Sequence, residues 1–110
     1  MARALEQARL GALRSEVPVG AVLIRDGKRV AEAHNRTFLD TDPTAHAESV
    51  VLRRAARAQG DFRLEGTTLY VTLEPCTMCA GSIVLSRVPR VVFGAWDPKA
   101  GMGGSLDNLL

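Results

Sequence analysis

An α/β fold built on a mixed sheet is what the sequence predicts, and three observations predict it. Short β-branched and apolar runs alternate with segments of helical period. The first two runs are joined by Asp26-Gly27, a two-residue hairpin signal. The later runs are separated by helical segments, the pattern of βαβ units. A hairpin followed by βαβ units gives a mixed sheet with helices on its faces.

Met1 to Arg14 places Leu5, Ala8, Ala12 and Leu13 at helical spacing among Arg3, Glu6, Arg9 and Arg14, an amphipathic helix. Glu16-Val17-Pro18 should end it, because the residue before a proline avoids the helical region. Val19 to Ile24 is a buried strand, and Arg29 to His34 returns as its partner across the Asp26-Gly27 turn. His34 reads as a half-exposed strand residue. Asn35 to Asp42 is a polar loop.

Thr44 to Gln59 is the second helix, started by Pro43 and Thr44 and closed by Gly60-Asp61. Thr68 to Leu73 is a third strand and Cys76 to Ser86 a third helix. Arg90 to Ala95 is a fourth strand, followed by a glycine-rich loop from Asp97 to Gly104. Ser105 then reads as the N-cap of a helix that begins as the chain ends.

The 110 residues make one domain, 1–110. No apolar run approaches the ~20 residues of a membrane span, and no signal peptide is visible. Two cysteines three positions apart cannot staple distant parts of a fold. A cytoplasmic protein that uses its thiols for metal or redox work is expected. A net charge of +2 does not by itself argue for nucleic acid. Arg53, Arg54, Arg57, Arg63, Arg87, Arg90 and Lys99 are candidate phosphate contacts, though such charge runs are usually solvated faces. Trp96, the single tryptophan, reads as a partly buried anchor before it reads as a stacking surface.

The chemistry gathers at Glu74-Pro75-Cys76-Thr77-Met78-Cys79, where a strand hands over to a helix. Residues i and i+3 of a first helical turn share a face, and the positive end of the helix favours thiolates. Cys76 and Cys79 can therefore point at one atom. His46 lies in the first turn of the second helix. If the two helix N-termini meet beside the sheet, His46, Cys76 and Cys79 form a three-ligand set suited to zinc. Three protein ligands leave a position for water, the catalytic arrangement rather than the structural one. Glu48, two residues on, faces away from the ligands and can serve that water as a proton shuttle. A redox CxxC would leave His46 and Glu48 unexplained, and a closed structural site would need a fourth ligand.

The pattern His46-Ala47-Glu48 followed by Pro75-Cys76-Thr77-Met78-Cys79 is the H-x-E…P-C-x-x-C signature of the zinc nucleoside and nucleobase deaminases. Val17 to Val22, Asp42 to Glu48, Leu69 to Gly81, Arg90 to Ala95 and Gly103 to Leu106 further resemble the bacterial tRNA-specific adenosine deaminases. That resemblance implies a cytidine-deaminase-like three-layer α/β/α sandwich. It implies one Zn(2+) per subunit, and hydrolytic conversion of adenosine to inosine at the wobble position of a tRNA anticodon loop. Asn35 matches the family asparagine that hydrogen-bonds the purine, and Asp97 an acidic residue near the neighbouring ribose. A homodimer is implied as well. The family continues with a fifth strand and a C-terminal helix, so the chain reads as C-terminally truncated, with the fourth strand left as a sheet edge. Two alternatives stay open: deamination of a free base or nucleoside (guanine, cytosine or cytidine), or an inactive zinc-stabilised module.

Overall fold

The computed structural model describes all residues, 1–110. Helix α1 spans Ala2–Leu13, strand β1 Gly20–Arg25, β2 Lys28–His34, helix α2 Ala47–Gln59, β3 Thr67–Leu73, α3 Thr77–Leu85 and β4 Arg90–Ala95. The strands form one sheet in the order β2-β1-β3-β4. The β1–β2 and β1–β3 pairs are antiparallel, and β3–β4 is parallel. The sheet is mixed, as the sequence predicts, and β4 is one of its edges. The hairpin turns at Asp26 and Gly27, whose φ of 52° and 73° are the left-handed pair that a two-residue loop requires.

Side-chain alternation along β1 assigns the layers. Ala21 and Leu23 join Val50, Val51, Ala55, Leu69, Val71 and Ile83 in the core beneath α2 and α3. Gly20 and Val22 face the other way, toward α1. A Cβ at Gly20 would fall on the backbone of Ala4 and Ala8, so the bare glycine is what lets α1 lie down on the sheet. Backbone cannot yield as a side chain can. Gly20→Ala is expected to destabilise the fold by about 3 kcal/mol, read as a lower urea midpoint with an unchanged slope.

The same layer explains a departure from the sequence reading. His34 is buried rather than half-exposed, at 3% exposure. Gly11 of α1 leaves the space, since a Cβ there would sit 3.0 Å from the His34 Cβ. The ring shares a hydrogen between Nδ1 and the Asn35 carbonyl at 2.7 Å, and Nε2 meets the Arg14 guanidinium at 3.2 Å. Helix α1 ends at Leu13, with Ser15 in the left-handed region (φ 62°), one turn before Pro18 could act.

Two further expectations are corrected. No helix begins at Ser105. Its N–H and hydroxyl both donate to the Glu74 carboxylate, and Asn108 pairs with Gly103 in an isolated bridge. A partner outside the segment has taken the groups that a helix start would have used. Trp96 is 64% exposed rather than an anchor. It stands edge-on to Phe93, ring centroids 4.9 Å apart, and Phe93 carries the contact with the core.

Candidate functional site

Helices α2 and α3 both start on the same side of the sheet, and their first residues meet. His46 and Cys76 are not within the first turns, as the spacing suggested, but are the N-cap residues. Both have extended backbone, φ −76° and ψ 156° for His46, φ −78° and ψ 177° for Cys76. An N-cap residue usually turns its side chain back onto its own helix. Neither does so here, because both side chains point at each other. His46 Nδ1 lies 3.6 Å from the sulfurs of both Cys76 and Cys79. All three ligand atoms fall within 4.8 Å of one another.

The acceptor that α2 lacks at its own cap comes from elsewhere. Asn35, at the end of β2, takes the Ala47 N–H on Oδ1 at 2.8 Å. Asp42 shapes the approach to the helix, accepting the Thr44 N–H at 2.8 Å and its hydroxyl at 2.7 Å. That turn delays the helix from Thr44 to Ala47.

The donor set fits zinc. Tetrahedral ligation with ordinary Zn–N and Zn–S lengths puts nitrogen and sulfur about 3.6 Å apart, which is the spacing of His46 Nδ1 from each sulfur. The thiols are electronically unlike. A hydrogen bond from the Cys79 thiol is the main influence on Cys76; burial opposes it, the Cys79 N–H and His46 assist, and the pKa falls to about 5. Cys79 is pushed up by holding the proton that Cys76 accepts, and by its own burial. A thiolate is therefore ready at neutral pH, and the thiolate is the ligating form.

Glu48 is buried at 4% exposure. Burial is what pushes its carboxyl above the usual range; the charge on Cys76 adds to this, and its own N–H and His46 oppose it. Burial thus favours the protonated form of this carboxyl, the direction that suits a group meant to receive a proton. It is not part of the ligand cluster.

A pocket of about 340 Å³ opens over this centre. Its lining includes His46, Glu48, Cys76, Asn35 and Asp97. The pocket wall therefore carries every predicted site residue except Cys79, which joins His46 and Cys76 in the ligand cluster but is fully buried beneath the pocket. Asp97 also makes the turn that its Asp-Pro context predicts, with Oδ1 accepting the N–H groups of Lys99 at 3.1 Å and Ala100 at 3.3 Å. Arg54, a candidate phosphate contact, instead donates to the Glu32 carbonyl on the outer edge of β2.

Two buried acids were missed. Glu16 accepts the N–H groups of Phe38 at 3.1 Å and Leu39 at 2.8 Å, which fixes the loop that brings Thr37 and Phe38 to the pocket. Glu74 does the same for the loop on the other side. A glutamate in a loop carries no signal of its own. Only its place beside Pro75-Cys76 could have drawn notice.

Comparison with known proteins agrees with this geometry. Residues 1–95 match the family model of the cytidine and deoxycytidylate deaminase zinc-binding region. The tRNA-specific adenosine deaminase of Bacillus subtilis (strain 168) is 54% identical over 110 residues, covering 100% of this chain and 68% of that protein. A solved structure from work on A-to-I editing by tRNA:A34 deaminases at the wobble position of transfer RNA superposes with a TM-score of 0.93. It shares 52% identity, over 96% of this chain and 81% of the other. A guanine deaminase from Bacillus subtilis is more distant, with a TM-score of 0.84 and 38% identity over 86% of this chain and 61% of the other. With its ligand spacing, its buried glutamate and a match over residues 1–95, the chain belongs to the cytidine and deoxycytidylate deaminase zinc-binding family.

Proposed function

We propose that this protein hydrolyses adenosine to inosine at the wobble position of a tRNA anticodon loop, with one zinc ion per chain held by His46, Cys76 and Cys79. The observation that carries the reading is Glu48, buried in the same pocket wall as His46 and Cys76. The likeness to tRNA-specific adenosine deaminases, stronger than that to guanine deaminase, selects the base.

Bound zinc supplies one thing, a water acidified enough to act as a nucleophile near neutral pH. The chain's own residues do the rest. Glu48 takes a proton from the attacking water and gives it to N1 of the adenine. It then carries the second proton to the amino group on C6. The C6–N bond breaks, ammonia leaves, and the oxygen from water stays as the C6 carbonyl of inosine. Asn35 already spends Oδ1 on the Ala47 N–H, which leaves its NH₂ to donate to a purine acceptor. Asp97 offers its second carboxylate oxygen to a ribose hydroxyl. The pocket volume suits one nucleoside turned out of a loop.

The deciding experiment incubates the zinc-loaded chain with an anticodon stem-loop RNA and reads inosine, with and without chelator. Conversion that stops on chelation is expected. Untouched RNA with deaminated guanine or cytidine would install the free-base reading instead. Asn35→Ala is expected to lose about 100-fold in kcat/KM, the worth of one donor to substrate and one stranded N–H. Asn35→Asp keeps the Ala47 acceptor and should lose only the first part.

We place the protein in the cytoplasm as a homodimer. No helix is long and apolar enough to cross a membrane. The α3 side chains Val84 and Leu85 are exposed apolar surface that a second copy can cover. Light scattering that finds only monomer at assay concentration would remove the dimer.

A further inference from the structure

We propose that Glu74 is a positioning residue for substrate, whose buried carboxylate clasps the 97–105 loop and fixes Asp97 in the pocket wall. The inference rests on the reading of Asp97 as a substrate contact given above.

Glu74 is 2% exposed. Its Oε1 accepts the Asp97 N–H at 2.9 Å and the Ser105 hydroxyl. Its Oε2 accepts the N–H groups of Gly103 at 2.8 Å and Ser105 at 2.9 Å. Four donors from one loop thus converge on one side chain, and both ends of that loop are held. The loop is wrapped closely enough that a Cβ at Gly101 would fall on the carboxylate and on the Asp97 carbonyl. The backbone at the same place adds two more ties. The Glu74 N–H donates to Ala95 at 2.9 Å, and Met102 donates to the Pro75 carbonyl at 2.8 Å.

No other side chain accepts the Asp97 N–H, and the 97–105 segment contains no strand or helix. A polar loop without secondary structure would ordinarily sample many conformations. Here its fixed point is a residue two positions before Cys76, on the same strand-to-helix junction that presents the thiols. The pocket wall is therefore set in register with the ligand cluster by a short, stiff piece of chain. Asp97 and Ala100 line the pocket from this loop. Releasing it should loosen substrate binding while leaving the reacting groups where they are, the signature of a change in KM rather than in kcat.

Glu74→Gln removes the second carboxylate oxygen and sets an NH₂ against N–H donors. Gly101→Ala attacks the same clasp from the loop side. Both variants should keep about one zinc per chain and the wild-type circular dichroism, and both should raise KM for the stem-loop about tenfold, with kcat within about twofold. Lys99 is the last lysine or arginine of the chain, so trypsin reports the loop at a single bond, Lys99–Ala100. Cleavage there should accelerate in both variants. Asp97→Asn should raise KM in the wild type and add little on top of Glu74→Gln, because the residue is already unplaced. An unchanged KM, a fall in kcat alone, or fully multiplicative effects of the two substitutions would overturn the inference. If the wild-type chain fails on the stem-loop, the substrate reading has failed, and the Lys99 cleavage rate still decides whether Glu74 holds the loop.

Discussion

Glu48→Ala will bind about one zinc per chain and deaminate about 10⁴-fold more slowly than the wild type. Three features of the site separate these two outcomes. The ligand atoms belong to His46, Cys76 and Cys79 alone, so the metal does not need Glu48. The carboxyl is buried and its pKa raised, the condition in which a carboxyl can both take and return a proton. Of the other carboxylates in the pocket wall, Glu74 is taken up by donors of the 97–105 loop and Asp97 already accepts two backbone N–H groups. No neighbour can substitute as the proton carrier. Burial of a charge opposes folding, so Glu48→Gln should melt no lower than the wild type while losing turnover similarly. Metal analysis beside single-turnover kinetics checks both halves. Retained turnover would take the proton transfer away from Glu48, and lost zinc would make it a ligand.

Cys79→Ser will lose the metal, the activity and part of the stability together. Cys79 is fully buried under the cluster, on the first turn of α3. A serine hydroxyl fills nearly the same space, but it is a neutral oxygen where a borderline-soft ion prefers thiolate. Zinc content should fall below about one-tenth per chain, with deamination at background. The thermal midpoint should drop, because the metal ties the start of α2 to the start of α3. Chelator then separates the causes. It should lower the wild-type midpoint toward that of the variant and leave the variant where it is. A variant midpoint that falls further on chelation would mean that zinc still binds.

The framework of this domain is plain in its residues because each element obeys a local rule. The Asp26-Gly27 turn can be read from two letters, and both residues take the positive φ it demands. Gly60 ends α2 in the left-handed region, as its place after Gln59 foretells. The ligand cluster was legible because a C-x-x-C pair at a helix start has few other uses. What escaped depends on partners far along the chain. Ser105 has the profile of an N-cap, yet a carboxylate 31 residues earlier takes its donors. His34 looks half-exposed until Gly11, on another layer, is seen to leave room for it. His46 looks like a first-turn residue until Asp42 turns the chain and Asn35 receives the Ala47 N–H. Local propensity cannot register any of these, because the competing interaction is tertiary.

The separation of the ligands along the chain has a consequence for assembly. His46 stands 30 residues before Cys76 and 33 before Cys79. Closing a loop of that length costs about 3 kcal/mol of chain entropy, and the whole of α2 and β3 lies inside it. An unfolded chain can offer a metal both thiolates at once, but not the imidazole. Capture should be staged, with the sulfurs engaged first and His46 joining only when α2 docks against α3. Refolding with cobalt in place of zinc would make the stages visible. The thiolate charge-transfer band should rise before the ligand-field bands of the complete site, and a single simultaneous phase would contradict the order.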